Sequence, residues 1–101
     1  MALLRFGHLL PGLDPKGVPQ NLRGTVFPFN YNNYAELENL VNTQDIGVIK
    51  MEVVRNKGPE DNFLHKVRKL ATDRGIVLIF DECTSGFRQT FGGLHKMYGV
   101  E

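Results

Sequence analysis

Cysteine is nearly absent from this chain: among 101 residues there is one, Cys83. A single thiol excludes an internal disulfide framework and a CxxC metal site, and it suits a reducing cytoplasm. An excess of charge of either sign is also missing. Twelve basic and 11 acidic residues give a net charge of +1 and are scattered rather than blocked. There is thus no basic stripe for nucleic acid and no acidic solvating tail. No apolar run approaches the length of a membrane span. In the opening MALLRFGHLLPG, Arg5 and His8 interrupt the apolar stretch before it could serve as a signal-peptide h-region. The chain therefore reads as soluble, not secreted and without nucleic-acid or membrane partners. Internal repeats and low-complexity tracts are absent too. What remains is ordinary globular composition, 42% hydrophobic and 23% charged. The length suits one domain or part of a larger one.

Organisation changes near residue 24. Residues 1–24 hold three of the five prolines (Pro11, Pro15, Pro19) and four glycines (Gly7, Gly12, Gly17, Gly24), which reads as an extended, turn-rich segment. Beyond it the pattern is regular. Thr25 to Phe29 (TVFPF) predicts a short strand, with Pro28 marking an end or edge. Asn33 and Glu36 form a capping box, followed by a helix with Ala35, Leu37, Leu40 and Val41 on its apolar face. Ile46 to Glu52 (IGVIKME) is an apolar run of strand length that ends in an acid. A second helix is expected from about Glu60 to Arg74, with Phe63, Leu64, Val67, Leu70 and Ala71 inward and Gly75 after its last turn. Ile76 to Phe80 (IVLIF) is a continuous apolar run, the mark of a strand buried on both faces. The order β-α-β-α-β implies crossovers and a mainly parallel sheet, hence an α/β fold, with residues 25–101 forming one βαβαβ unit plus a following loop. Three strands leave two sheet edges unpaired, so neighbouring strands are missing or the chain associates.

In open parallel sheets, ligands bind beyond the carboxyl ends of the strands. Two strands of this chain end there in acids, Glu52 and Asp81. Alternation along the strand would put Asp81 and Cys83 on one side and Glu82 on the other. A carboxylate followed two residues later by a small apolar residue suits a flat heteroaromatic cation: the acid holds the ring nitrogen proton and the apolar group covers the ring. An apolar strand ending in Asp-Glu also resembles a Walker B element, in which the Asp holds Mg²⁺, and a strand-ending acid can simply cap a turn. The chain has no GxxxxGK[ST] string to accompany a Walker B strand.

The run DECTSGFRQTFGGLHKMYGV (Asp81 to Val100) resembles the D-E-V-x-[ST]-G-F-R…G-G…Y-G-V block of class III pyridoxal-phosphate (PLP) aminotransferases, nearest to the glutamate-1-semialdehyde aminomutase-like branch. MEVVRN (Met51 to Asn56) is similar to that family's M-E-P-V-x-N strand end. GHLLPGLDPKGVPQNLRGTVFPFNYNN (Gly7 to Asn33) resembles its proline- and glycine-rich approach to the preceding strand. The resemblance implies a partial PLP-binding large domain over residues 1–101, belonging to the three-layer α/β/α domain of a fold-type I transferase. It implies that Asp81 pairs with the pyridine nitrogen of PLP and that Cys83, where the family usually has valine, packs on the ring. Glu52 and Asn56 would lie on the substrate side, although Val53 replaces a usual proline and leaves the Glu52 turn open to question. Gly86, Phe87 and Arg88 match the family's turn, Arg88 as an ion-pair partner, and Gly92-Gly93 a close backbone approach. The intact enzyme would be a cytoplasmic homodimer transferring or relocating an amino group on a small-molecule donor or acceptor.

The catalytic lysine of that family has no match here. Lys50 lies within a strand and Lys96 between the glycine turn and Tyr98, in a segment without strand character, and both read as solvated or salt-bridged. No catalytic residue is therefore assigned, and the chain alone is expected to be inactive. His8, His65 and His95 are too scattered for metal ligation. Phe27, Phe29, Tyr31 and Tyr34, without basic interleaving, read as core rather than base-stacking residues. A rival reading keeps the same fold as a non-catalytic, stand-alone association module. A P-loop-type nucleotide-binding fragment stands behind both.

Overall fold

The computed structural model describes residues 16, 17, 19–22, 24–54 and 56–101. Most of the proline- and glycine-rich segment expected over 1–24 lies outside the described residues, as does His8. Its described part contains a single 3-10 turn, Gln20–Leu22.

The regular elements are α1 (Tyr34–Thr43), β1 (Val48–Glu52), α2 (Phe63–Arg74), β2 (Val77–Asp81) and a short α3 (Leu94–Tyr98). β1 and β2 pair in parallel, Val48 against Val77 through Glu52 against Asp81. This two-stranded sheet, with helices between and around its strands, is a small α/β unit. It is consistent with part of a fold-type I PLP domain and is smaller than a three-layer sandwich.

The strand expected at Thr25 to Phe29 does not form. Phe29 makes an isolated bridge, and Pro28 beside it has no N–H to extend a ladder. Thr25 is used elsewhere: its amide and hydroxyl both donate to the Leu22 carbonyl, closing the preceding turn. The unit is αβαβ with a bridge ahead of it rather than βαβαβ.

α1 begins where its cap requires. The Asn33 side chain accepts from the Glu36 amide at 3.1 Å, satisfying one of the donors a helix start leaves open. Glu36 reaches back past the cap residue's backbone and accepts from the Asn30 amide at 2.9 Å and from the Asn33 side chain. The Asn33 amide itself donates to the Asn30 carbonyl, so the reciprocal half of the box is displaced by one turn of chain. Leu37 and Val41 are buried and Leu40 is half-buried, while Ala35 faces out. Ala35 is two residues from Leu37, about 200° around a helix, so the two cannot share a face.

α2 starts at Phe63 rather than Glu60 because Asp61 and Asn62 take left-handed backbone angles (φ 49° and 57°), a region that Asp and Asn tolerate. Its inward stripe is the expected one: Phe63, Leu64, Val67, Leu70 and Ala71 are all buried. Gly75 ends the helix at φ 65°, its amide donating to the last-turn carbonyls of Ala71 and Thr72. Together with Ile49, Met51, Val53, Leu94 and Val100, this stripe forms one core beneath one face of the sheet.

The other face is open. β2 was expected to be buried on both sides, yet Val77 is 59% exposed and Ile79 43%. Among the described residues no element packs over that face, so alternate side chains along both strands (Val48, Lys50, Val77, Ile79) meet solvent.

Candidate functional site

The register of β1 and β2 brings two acids together. Glu52 and Asp81 are the last residues of adjoining parallel strands and sit directly opposite one another. Parallel strands share a direction, so both carboxylates arise at the end where open α/β sheets bind ligands.

Asp81 is fixed from two sides. Its Oδ1 accepts the Cys83 backbone N–H at 3.1 Å, and its Oδ2 lies 3.1 Å from Lys50 Nζ. The Cys83 amide and then Lys50 favour the charged form, outweighing slight desolvation, and hold the carboxyl below its ordinary pKa. An ionised acceptor therefore stands at the strand end. Cys83 is exposed. β2 stops at Asp81, so the strand alternation expected to relate Asp81 to Cys83 does not operate. An Asp-based turn links them instead.

Glu82 faces inward and gathers the loop that follows. Its Oε2 is 2.5 Å from His95 Nδ1, and its Oε1 accepts from the Leu94 amide and from Ser85 Oγ at 3.3 Å. Burial pushes the Glu82 pKa up, but the bonds from His95 and Leu94, the His95 charge and the Ser85 hydroxyl outweigh it and leave it lowered. The His95 ring also stacks on Phe80, with centroids 6.4 Å apart and planes 13° from parallel. Gly93 lies against this pair: a Cβ there would collide with Glu82 Oε2 and the His95 ring. The close approach expected at Gly92-Gly93 is thus made by Gly93.

In the turn itself the left-handed residue is Phe87 (φ 60°), not Gly86. Gly86 matters for a different reason. Its amide donates to the Glu82 carbonyl at 2.8 Å, and a Cβ would come within 3.0 Å of that oxygen. Arg88 is exposed and, among the described residues, has no carboxylate within ion-pair distance, so the ion pair expected of it is not formed.

Val53, the departure from the usual proline, is fully buried. Its carbonyl accepts the Tyr31 hydroxyl, and the Tyr31 ring packs edge-on against Phe63 at 5.1 Å. Desolvation, then the nearby Tyr98, pushes the Tyr31 phenol up to about 12. The chain leaving Glu52 is held by this contact. Asn32 adds a second tie, accepting from the Glu60 amide at 2.9 Å and donating to the Gly58 carbonyl at 3.1 Å. Asn56 is exposed in the same loop.

Sequence reasoning placed Glu52 and Asp81 at strand ends, where the structure has them, but missed the contacts of Tyr31 and Asn32 and the Glu82–His95 pair. These contacts span 13 to 28 positions along the chain, and no local pattern announces them. Lys50 was placed within a strand as solvated or salt-bridged, and it is salt-bridged. Lys96 and His65 are exposed. Phe29 lies in the core, with Tyr31 and Tyr34 packed against it. Among the described residues no group of His, Cys, Asp and Glu could hold a metal ion, and no helix is long and apolar enough to cross a membrane.

These features make an α/β unit with acids at the carboxyl ends of neighbouring parallel strands, the end at which open sheets of this class bind ligands. Comparison with known proteins finds relatives. The glutamate-1-semialdehyde 2,1-aminomutase of Geotalea daltonii is 40% identical over 93 residues, covering 86% of this chain and 22% of that protein. Those of Desulfotalea psychrophila and Thermodesulfovibrio yellowstonii are each 38% identical, over 83% and 87% of this chain. The chain matches the glutamate-1-semialdehyde 2,1-aminomutase family as a partial stretch, in keeping with the class III PLP aminotransferase branch. It spans about a fifth of the length of these relatives, 21% to 22%. No family model matches the chain, and no solved structure matches it.

Proposed function

We propose that this chain is part of the PLP-binding large domain of a fold-type I aminotransferase or aminomutase, with Asp81 as the partner of the pyridine nitrogen. The observation that carries the reading is the state of Asp81: an ionised carboxylate, at the carboxyl end of a parallel strand, facing Glu52 across the register. The donor set fits one end of the cofactor. Asp81 Oδ2 already accepts a cation, the Lys50 ammonium, and a protonated ring nitrogen presents the same charge and donor. PLP, when bound, supplies the electron sink for amino-group chemistry. Asp81, its carboxylate oriented by the Cys83 amide, would hold the ring nitrogen proton, and the Cys83 side chain would cover the ring. Glu52 and Asn56 stand toward the amino donor or acceptor. The intact enzyme is a homodimer of the cytoplasm in this reading, and the phosphate-holding residues and the lysine lie outside this segment.

Two measurements test it. The coding sequence beyond Glu101 should continue to a lysine-bearing strand. In the enzyme so encoded, Asp81→Asn should weaken PLP binding and change the visible absorbance of the bound cofactor. Unchanged affinity and absorbance would overturn the assignment of Asp81. A second reading, a stand-alone association module, is favoured by the exposed apolar face of Val48, Val77 and Ile79. A stop codon after Glu101 with a stable, self-associating product would select it.

A further inference from the structure

The peptide group joining Glu82 to Cys83 is held at both ends. Its N–H donates to Asp81 Oδ1, and its C=O accepts the Gly86 amide at 2.8 Å. The plane of that peptide decides whether the N–H points at Asp81, and Glu82 is the residue whose backbone sets it. Glu82 in turn is anchored through its side chain to His95 and the Leu94 amide on the far side of the loop, and to Ser85 within its own turn. The anchor is well sheltered, the Glu82 side chain being 12% exposed and that of His95 30%. The molecule gives up side-chain volume to keep it. Gly93 has no room for a Cβ beside the pair, and the Phe80 ring, from the strand residue before Asp81, lies on the His95 ring.

We propose that Glu82, held by His95, is a positioning residue for the cofactor site: it orients the Glu82–Cys83 peptide so that the Cys83 N–H fixes the Asp81 carboxylate. The inference rests on the reading of Asp81 as the pyridine-nitrogen partner, but its test uses no cofactor. The Glu82 side chain is turned toward Ser85, Leu94 and His95 rather than toward Asp81, so its effect would pass through the Glu82–Cys83 peptide. A protonated pyridine nitrogen donates its one N–H to a single well-aimed carboxylate oxygen. Holding Oδ1 to the Cys83 N–H limits rotation of the carboxylate and leaves Oδ2 to face the incoming cation.

The test is a carboxyl-carbon NMR titration of Asp81 in the chain and in Glu82→Ala, with amide protection of α2 as the measure of folding. Removing the Glu82 charge by itself favours ionised Asp81 and would lower its pKa. Losing the Cys83 N–H bond raises it. The proposal expects a rise, toward the ordinary carboxylate range, while the α2 amides stay protected. A fall, or no movement, in a folded Glu82→Ala chain overturns it. A second pair of variants covers the case in which Glu82→Ala does not fold. His95→Ala and His95→Asn both remove the ring, but Asn keeps a donor near the Nδ1 position. His95→Ala should raise the Asp81 pKa above that of His95→Asn, and equal values would sink the idea. Neither arm depends on PLP, so failure here leaves the Asp81 assignment to its own binding test, and failure of that assignment leaves this coupling standing.

Discussion

Lys50 Nζ sits 3.1 Å from Asp81 Oδ2, joining two residues on neighbouring strands across the solvent-facing side of the sheet. In register, Lys50 opposes Ile79, and Glu52 opposes Asp81. The pair is therefore diagonal, within reach of a long side chain. Both partners are solvent-exposed, so the contact affects Asp81's charge state more than the stability of the fold. Lys50→Met should move the Asp81 pKa upward while leaving it lowered in part, because the larger cause, the Cys83 amide, remains. The sign follows from linkage. A carboxyl whose folded pKa is depressed contributes stability above its unfolded pKa and loses it as pH falls through the folded value. Acid unfolding of Lys50→Met should begin at slightly higher pH than that of the parent chain, read by far-UV circular dichroism against pH.

Gly93→Ala should damage the loop without touching the core. Gly93 has ordinary backbone angles (φ −90°, ψ 149°), so alanine is not conformationally strained there. The obstacle is purely steric, since the new Cβ meets Glu82 Oε2 and the His95 ring. Overpacking of this kind costs about 1–3 kcal/mol. The measurement is urea unfolding, together with the His95 ring proton shifts, which should lose the displacement caused by stacking on Phe80. Unaltered His95 shifts would show that the pair does not occupy the space beside Gly93.

Tyr31→Phe tests the tie between the first turn and the end of β1. The substitution keeps the ring contact with Phe63 and removes the donor to the Val53 carbonyl. The expected loss is about 1 kcal/mol, the net worth of one hydrogen bond. The phenol gives a pH signature as well. Its pKa is raised to about 12, so its contribution is complete below the ordinary tyrosine value near 10 and disappears as pH rises toward 12. Alkaline unfolding of the parent chain should steepen across that window. In Tyr31→Phe that component should be missing.

How much of this was visible beforehand depends on the range of the contact involved. The α2 stripe, the Asn33 cap and the Gly75 terminus are local, and each was readable within a few residues. The end of β2 at Asp81 was readable for the same reason. Thr25 to Phe29 was misjudged because composition reports β preference, whereas a strand also needs a neighbour, and Thr25 is committed to Leu22. The expected burial of β2 on both faces came from the apolar run IVLIF. That run reports the environment for which the strand is built, and the described residues supply a cover on one side. Glu82 was passed over since an acid beside a strand end carries no sign of its partner 13 positions away.

The lysines offer the last test. In the family this chain resembles, a lysine bonds the cofactor covalently, and the two residues most open to mistaken assignment here are Lys50 and Lys96. Lys50 is engaged with the Asp81 carboxylate at 3.1 Å, and attack on an aldehyde requires a free amine. Lys96 is exposed, with no hydrophobic pocket around it among the described residues. Neither environment activates a nucleophile. Treatment of the chain with PLP and borohydride, followed by peptide mapping, should give low and scattered labelling across the exposed lysines. One label per chain concentrated on Lys50 or Lys96 would mean that the segment carries its own nucleophile and that the lysine does not lie outside it. Lys50→Met separates the two outcomes further. If Lys50 serves only as Asp81's counter-ion, the variant should leave the labelling pattern of the remaining lysines as it was.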